Sequence, residues 1–262
     1  MKIKAHLAIL KLGAIQQALD QELAQAAQCR LPPSELLERL LGIEAQGVID
    51  RRIERRITEA RLPDRKLLAD FDFVFQTGVD KAQIMELAKL DFVTRKQGLV
   101  MAGNSGTGKS HLAKALLLIG CSRQYRCRYT TAADMLATLL ASLADNTLPR
   151  ALRKYTSPEI LLIDEVGFDR LEQNDARPAS LFFKVIDGRY CSGVSTLLTT
   201  NIDFKELGDY LGDPVITTAL VERLIHHSII LSIQGPSWRI HESKKLNSRQ
   251  KKPAKKAISP DP

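Results

Sequence analysis

The sequence contains no apolar segment long enough to cross a membrane. A spanning helix needs about 20 consecutive apolar residues, whereas the hydrophobic residues of this 262-residue chain, 44% of the total, are divided among shorter runs. The first residues, Met1 to His6, include two lysines, and they lack the long apolar core of a signal peptide. These absences predict a protein that has no membrane partner and is cytoplasmic.

Cysteine is scarce as well. The chain has four, at Cys29, Cys121, Cys127 and Cys191, with no C-x-x-C spacing and no paired histidines at metal-ligand distance. Zinc sites and disulfide frameworks are built from such clusters. The sequence therefore predicts reduced thiols and neither kind of site.

Aromatic residues make up only 5% of the chain, yet three phenylalanines stand close together at Phe71, Phe73 and Phe75. Most buried aromatics serve packing, so core packing is the preferred interpretation of this group. One wall of a base pocket is the alternative.

Acidic residues are outnumbered, and the formal net charge is +8. Near the C-terminus a single acid, Asp261, accompanies seven basic residues: Lys244, Lys245, Arg249, Lys251, Lys252, Lys255 and Lys256. A segment of this composition cannot bury enough apolar surface to fold, so residues 243–262 are predicted to form a disordered basic tail. Such a tail either is simply solvated or attracts nucleic-acid phosphates without sequence preference.

A glycine-rich segment carries the clearest chemical signal. Residues 103–110, GNSGTGKS, fit the P-loop pattern G-x-x-x-x-G-K-[ST] between an apolar strand pattern and a helix pattern. In a P-loop, backbone N–H groups at a helix N-terminus surround a polyphosphate. Lys109 is predicted to reach the β- and γ-phosphates and Ser110 to hold Mg²⁺. The residues predicted to contact nucleotide here are Gly103, Asn104, Ser105, Gly106, Thr107, Gly108, Lys109, Ser110 and His111.

Two acids, Asp164 and Glu165, follow the continuous apolar run at residues 160–163. Such a run is typical of a parallel strand that is buried on both faces, and ligands bind at the carboxyl ends of these strands. We predict that Asp164 binds the metal and orients its water. Glu165 is predicted to polarise the water that attacks the γ-phosphate.

Three further polar residues are candidates for the same site. Asn201 ends a strand pattern and would hold the attacking water or sense the γ-phosphate. Arg223 has no acid at helical spacing except the adjacent Glu222; it forms a surface ion pair or acts as an arginine finger on a neighbouring subunit. Arg239 follows the last strand pattern, where it contacts phosphate or braces the end of the domain.

The organisation is predicted as a small helical domain over residues 1–66, followed by an α/β P-loop domain over 67–242 with a five-stranded parallel sheet flanked by helices. The helical domain has one helix pattern over residues 5–28, interrupted near Gly13, and another over 35–61. The arginines of the second pattern either pair with nearby acids or contact DNA phosphates. They are Arg51, Arg52, Arg55 and Arg56.

The order of P-loop, acid pair, Asn201 and Arg223 resembles that of AAA+ ATPases. Segments 67–73, 163–168, 212–215, 223–228 and 235–239 narrow the resemblance to the IstB family of transposition helpers. Asn104-Ser105 stands where that family often has prolines, and Trp238 replaces a usual tyrosine. Neither change removes a phosphate, metal or charge contact.

The resemblance implies a DNA-stimulated ATPase that uses ATP and Mg²⁺. The short basic stretch after Ile233 predicts that the helical lid of many AAA+ proteins is absent. The resemblance also implies three partners, namely double-stranded DNA, further copies of the chain and a cognate DDE transposase. A helix that faces DNA in the initiator branch of AAA+ proteins corresponds here to the segment with Arg150, Arg153 and Lys154. Rival interpretations are a replicative helicase loader, a small-molecule P-loop kinase and a DNA-coating protein that does not hydrolyse ATP.

Overall fold

The computed structural model describes residues 2–168, 177–203, 206–211 and 213–250. The chain divides into two compact units, Met1–Thr58 and Glu59–Pro262, so the division precedes the predicted boundary after residue 66. Within the described ranges, no helix is both long and apolar enough to span a membrane.

The described part of the first unit is helical. Helices α1 (Lys2–Ile9) and α2 (Gly13–Cys29) are followed by α3 (Pro33–Ala60). The break between α1 and α2 falls at Gly13, where the sequence predicted it. Ile15 and Leu19 are buried residues on the apolar side of α2. The predicted helical N-terminal region is therefore confirmed.

A buried carboxylate connects two of these helices. Glu44 of α3 accepts hydrogen bonds from the backbone N–H groups of Ala14 (2.8 Å) and Ile15 (3.1 Å), at the start of α2. Arg51 donates to the same carboxylate at 3.0 Å. The Ile15 N–H group contributes most to lowering the pKa of Glu44, against the opposing effect of burial. Glu44 thus satisfies backbone donors that a helix start leaves without an intrahelical partner.

The second unit is built on a parallel sheet. Its strands lie in the order β2-β3-β4-β1-β5, and every pair is parallel. The predicted five-stranded parallel sheet is confirmed. The strands are β1 (Gly98–Gly103), β2 (Cys127–Thr131), β3 (Ile160–Val166), β4 (Ser195–Thr200) and β5 (Ser228–Ile233).

Helices cover this sheet. Residues 160–163 of β3 are buried, as expected for a strand with both faces covered. The helices of the unit are α4 (Lys81–Leu87), α5 (Asp91–Thr94), α6 (Lys109–Ser122), α7 (Ala132–Ala144), α8 (Leu148–Thr156), α9 (Arg177–Ser192), α10 (Leu207–Leu211), α11 (Pro214–His226) and α12 (Trp238–Gln250).

The register aligns the carboxyl ends of three strands. Ala102 of β1 and Val166 of β3 both pair with Thr200 of β4. The β3–β4 register shifts between Ile163 and Val166, which is where the two acids stand. Residues that follow β1, β3 and β4 therefore emerge at one edge of the sheet, called the carboxyl edge below.

The C-terminal segment differs from the sequence prediction. Residues 243–250 belong to helix α12, whereas a disordered tail was predicted from residue 243. The segment forms a helix despite its charge because Lys and Arg are good helix formers. The remainder of the predicted tail, residues 251–262, lies outside the described residues.

Candidate nucleotide-binding site

The loop between β1 and α6 requires glycine at two positions. Gly103 has φ 146°, and a Cβ atom there would lie 2.0 Å from the carbonyl oxygen of Ile233. Gly108 has φ 92°, and its Cβ atom would lie 2.5 Å from the ring of Phe71. Both backbone conformations favour glycine. The glycines thus let the loop pack tightly against β5 and the Phe71 segment.

Lys109 begins α6 and points back into this loop. Its Nζ donates to the carbonyl oxygens of Gly103 and Asn104, each at 2.7 Å, and the residue is 8% exposed. Burial lowers the pKa of Lys109; Asp164 opposes this effect and Arg239 adds to it. An ammonium group has three donors, so one remains for a phosphate oxygen.

Asp164 stands beside the first turn of α6. Its Oδ1 accepts from the hydroxyls of Ser110 (2.7 Å) and Thr199 (2.5 Å), and its Oδ2 accepts from Tyr129 (3.3 Å). Lys114 Nζ lies 3.9 Å from Oδ2. The side chain of Asp164 is therefore held from four sides and is almost fully buried.

The Ser110 hydroxyl and the Asp164 carboxylate fit a magnesium ion. Both offer oxygen donors, which Mg²⁺ prefers, and Mg²⁺ commonly takes one or two protein oxygens together with phosphate oxygens and water. No group of three or more His, Cys, Asp or Glu side chains suited to a metal occurs among the described residues. A site completed by nucleotide oxygens is consistent with this sparse set of protein ligands.

Glu165 differs from Asp164 in both exposure and backbone conformation. It is exposed and has φ 61°, a left-handed conformation that is uncommon outside glycine and often marks functional sites. Its backbone N–H donates to Thr199 Oγ1 at 3.0 Å. The twist at this residue turns its carboxylate toward the cavity described next, whereas Asp164 stays buried.

A cavity of about 540 Å³ brings the predicted residues together. Lys109, Ser110, Glu165, Asn201 and Arg239 all line it. Aromatic side chains form another part of the wall, and these are Phe71, Phe75 and Trp238. The preferred interpretation of Phe71 and Phe75 as core residues is therefore wrong, since both are half-exposed at the cavity.

A family model described as IstB-like ATP binding protein matches residues 5–246. The chain belongs to the IstB-like family. A Pseudomonas aeruginosa protein, named as the ATP-binding protein of insertion sequence IS21, is 36% identical over 244 residues, which cover 93% of this chain and 91% of that protein. Its Geobacillus stearothermophilus counterpart from IS5376 is 37% identical over 218 residues, with coverages of 83% and 85%.

Solved structures with low sequence identity share the fold of this IstB-like chain. AMPPCP-bound DnaA from Aquifex aeolicus matches with a TM-score of 0.55 and 22% identity, over 74% of this chain and 59% of DnaA. The DnaC helicase loader matches with a TM-score of 0.51 and 22% identity, over 65% and 97%. The predicted AAA+ P-loop fold class is confirmed.

Arg239 lies in the first turn of α12. The neighbouring Trp238 donates its backbone N–H to the carbonyl oxygen of Gly106 at 2.9 Å, so this turn is attached to the P-loop. The positive charge of the Arg239 guanidinium contributes to lowering the pKa of Lys109. Both alternatives from the sequence, bracing and phosphate contact, are compatible with this position.

Arg223 does not line the cavity. It lies near the end of α11. His227, the residue between α11 and β5, accepts a hydrogen bond from Gly98 N–H through its carbonyl oxygen at 2.8 Å. Gly98 is the first residue of β1. Arg223 is therefore at the amino edge of the sheet, and β1, at about 3.3 Å per residue, separates that edge from the P-loop.

Arg223 also has an acidic partner that the sequence did not reveal. Its Nε donates to Asp187 Oδ1 of α9 at 2.7 Å, whereas the acid adjacent to it in the sequence is Glu222. Sequence spacing identifies partners on the same helix, but Asp187 belongs to a different one.

The predicted DNA contacts lie on two helices. Those on α3 are Arg51, Arg52, Arg55 and Arg56, and those on α8 are Arg150, Arg153 and Lys154. Arg51 pairs with Glu44, while the three residues of α8 are exposed.

Three site residues were missed in the sequence. Thr199 and Tyr129 bind Asp164, and Lys114 approaches it from α6. Lys114 follows Ser110 by one helical turn, which is a usable signal because positions four apart share a helix face. Tyr129 and Thr199 come from other strands, and only the strand order brings them to Asp164.

Proposed function

We propose that this IstB-like protein is a DNA-stimulated ATPase that assembles on target DNA and recruits or activates a cognate transposase. The observation that carries the proposal is the convergence of Lys109, Ser110 and Glu165 at one cavity, with Asp164 hydrogen-bonded to the Ser110 hydroxyl, in a chain related to insertion-sequence ATP-binding proteins. ATP with Mg²⁺ is the proposed ligand.

The residues around the cavity suit attack by water on the γ-phosphate. Mg²⁺, held by Ser110 and Asp164, would supply positive charge at the phosphate oxygens. Lys109 binds the β- and γ-phosphates, and Asn201 orients the water. Glu165 accepts a proton from the water while the water oxygen bonds to the γ-phosphorus. The bond between the γ-phosphorus and the β–γ bridging oxygen breaks, and ADP and phosphate are formed.

Arg223 cannot serve the nucleotide of its own subunit, because it lies at the opposite edge of the sheet. We propose that it reaches the γ-phosphate of an adjacent copy, so that ATP links neighbours into an oligomer on DNA. Hydrolysis removes the group that Arg223 binds. The nucleotide would thus act as a switch for assembly.

The Arg223→Ala protein tests this arrangement. It should bind ATP normally, because Arg223 is remote from the cavity, but need about tenfold more protein to assemble on duplex DNA. Sedimentation with a non-hydrolysable ATP analogue measures this. Mixing with Lys109→Ala subunits, which retain Arg223 but lack the phosphate-binding lysine, should recover part of the ATPase activity. Normal assembly of Arg223→Ala would reject the finger.

DNA contact by α8 is the second part of the proposal. Reversing charge at Arg150 and Arg153 should weaken DNA binding about tenfold and reduce its salt dependence, because each lost phosphate contact lowers the slope of log K against log salt by about 0.9. Fluorescence anisotropy at several salt concentrations measures both. Reversal at Lys89 and Arg123 is the matched control; an equal effect there would point to net charge alone.

A replicative helicase loader is the alternative, favoured by the likeness to the DnaC fold. The two functions differ in the protein that is recruited. Pull-down on DNA with ATP, using the transposase of the same element and a hexameric helicase as separate prey, distinguishes them. Retention of helicase alone would replace the transposition proposal.

A further inference from the structure

A cleft lies at the amino edge of the sheet, away from the nucleotide cavity. It has a volume of about 460 Å³ and is lined by residues that include Arg95, Lys96, Tyr190 and Arg223. The cleft is basic on this side. If a neighbouring subunit's nucleotide meets Arg223, it does so here.

Arg223 is oriented by three contacts within its own subunit. Its Nε donates to Asp187 Oδ1 at 2.7 Å, and its Nη1 donates to the carbonyl oxygen of Ala219 at 3.1 Å. The guanidinium carbon lies 4.8 Å from the ring centroid of Phe183. These contacts define both the position and the plane of the group, and Nη2 donates no hydrogen bond to the residues that the structure describes.

The element that carries Asp187 is itself anchored. Two residues further along α9, Arg189 is 1% exposed and donates to the carbonyl oxygens of Tyr155 (2.7 Å) and Pro158 (2.9 Å). It also donates to Thr196 Oγ1 at 2.9 Å. Arg189 therefore connects α9 to the end of α8 and the start of β4, and Asp187 stands on a rigid support.

The ion pair between Arg223 and Asp187 has little to contribute to stability. The two side chains are 30% and 36% exposed, and ion pairs this accessible to water have small net energies. The ion pair does orient Arg223. A free arginine side chain has many rotamers, and without Asp187 the loss of this freedom would oppose phosphate binding. A charged hydrogen bond to Nε leaves the Nη edge available for a planar contact with phosphate oxygens.

We propose that Asp187 is a positioning residue for Arg223. It holds the guanidinium through Nε so that Nη2 faces the γ-phosphate of the adjacent subunit. The inference rests on the proposed role of Arg223 in ATP-dependent assembly. It assigns Asp187 an effect on hydrolysis in the oligomer and none on ATP binding by the separate subunit.

The test uses the full chain with Asp187→Asn, which keeps the size of the side chain and removes its charge. ATPase activity of the DNA-bound oligomer should fall about tenfold, since a misplaced catalytic group costs rate, while ATP affinity and melting temperature stay unchanged. Asp187→Glu should restore part of the activity. Glu222→Gln is the matched control, because it removes an acid next to Arg223 in the sequence that forms no ion pair with it among the described residues.

A double variant separates positioning from a general effect of charge. In the Arg223→Ala background, Asp187→Asn should cause no additional loss of activity, because Asp187 acts through Arg223. An additive loss, or full activity of Asp187→Asn alone, would overturn the inference while leaving the finger in place. If Arg223→Ala itself hydrolyses ATP normally on DNA, the proposed role of Arg223 fails and the inference fails with it.

Discussion

Glu165→Gln should bind ATP with unchanged affinity and hydrolyse it about 10²- to 10⁴-fold more slowly. The substitution preserves the shape of the side chain but removes the carboxylate that we propose as the base for the attacking water, and general bases contribute this order of rate. Glu165 is exposed at the cavity, and its backbone N–H, bound to Thr199, is unaffected. Phosphate release with DNA measures the rate, and fluorescent nucleotide titration measures the affinity.

Because ATP would persist in this variant, its assemblies on DNA should be longer-lived than those of the unaltered protein. Glu159→Gln is the matched control. Glu159 stands just before the first residue of β3, and its carboxylate accepts a hydrogen bond from the backbone N–H of Arg126 at 2.9 Å. Glu159→Gln should hydrolyse ATP normally. Equal rates for Glu165→Gln and the unaltered chain would exclude Glu165 as the base.

Lys109→Ala should weaken ATP binding by about 10- to 10²-fold. A hydrogen bond that involves a charged group is worth roughly 1.5–3 kcal/mol, and the ammonium has one donor left for a phosphate oxygen after its two bonds to loop carbonyls. The substitution also removes the donor to the Gly103 and Asn104 carbonyls, so the loop loses two of its internal hydrogen bonds. Isothermal titration calorimetry measures the affinity, with Lys89→Ala as a control that removes an exposed lysine.

We expect ATP binding to depend on pH through Lys109. Burial lowers the pKa of Lys109, so with rising pH this group loses its proton earlier than an exposed lysine does. Phosphate binds the protonated form and raises its pKa, so ATP binding should take up protons and weaken on the alkaline side. Lys109→Arg, which keeps its charge at high pH, should abolish the uptake. Equal proton uptake in this variant would show that another group titrates.

The sequence by itself determined the candidate residues of the nucleotide site. Local rules suffice for a P-loop, because its glycines, Lys109 and Ser110 are consecutive and the following helix places them. Asp164 and Glu165 were identified by the buried strand they follow, and that strand's position followed from the parallel arrangement. The sequence did not predict the left-handed backbone conformation of Glu165, which lies where the pairing of β3 with β4 is irregular.

Only the tertiary structure decided which residues support these groups. Tyr129 and Thr199 reach Asp164 from two other strands, and Asp187 reaches Arg223 from another helix. Glu44 likewise meets the start of α2 across 29 residues of chain. A periodic pattern specifies which face of an element is buried but not which residue of a second element will meet it. That pairing is set by strand order and helix packing, and both depend on contacts throughout the core.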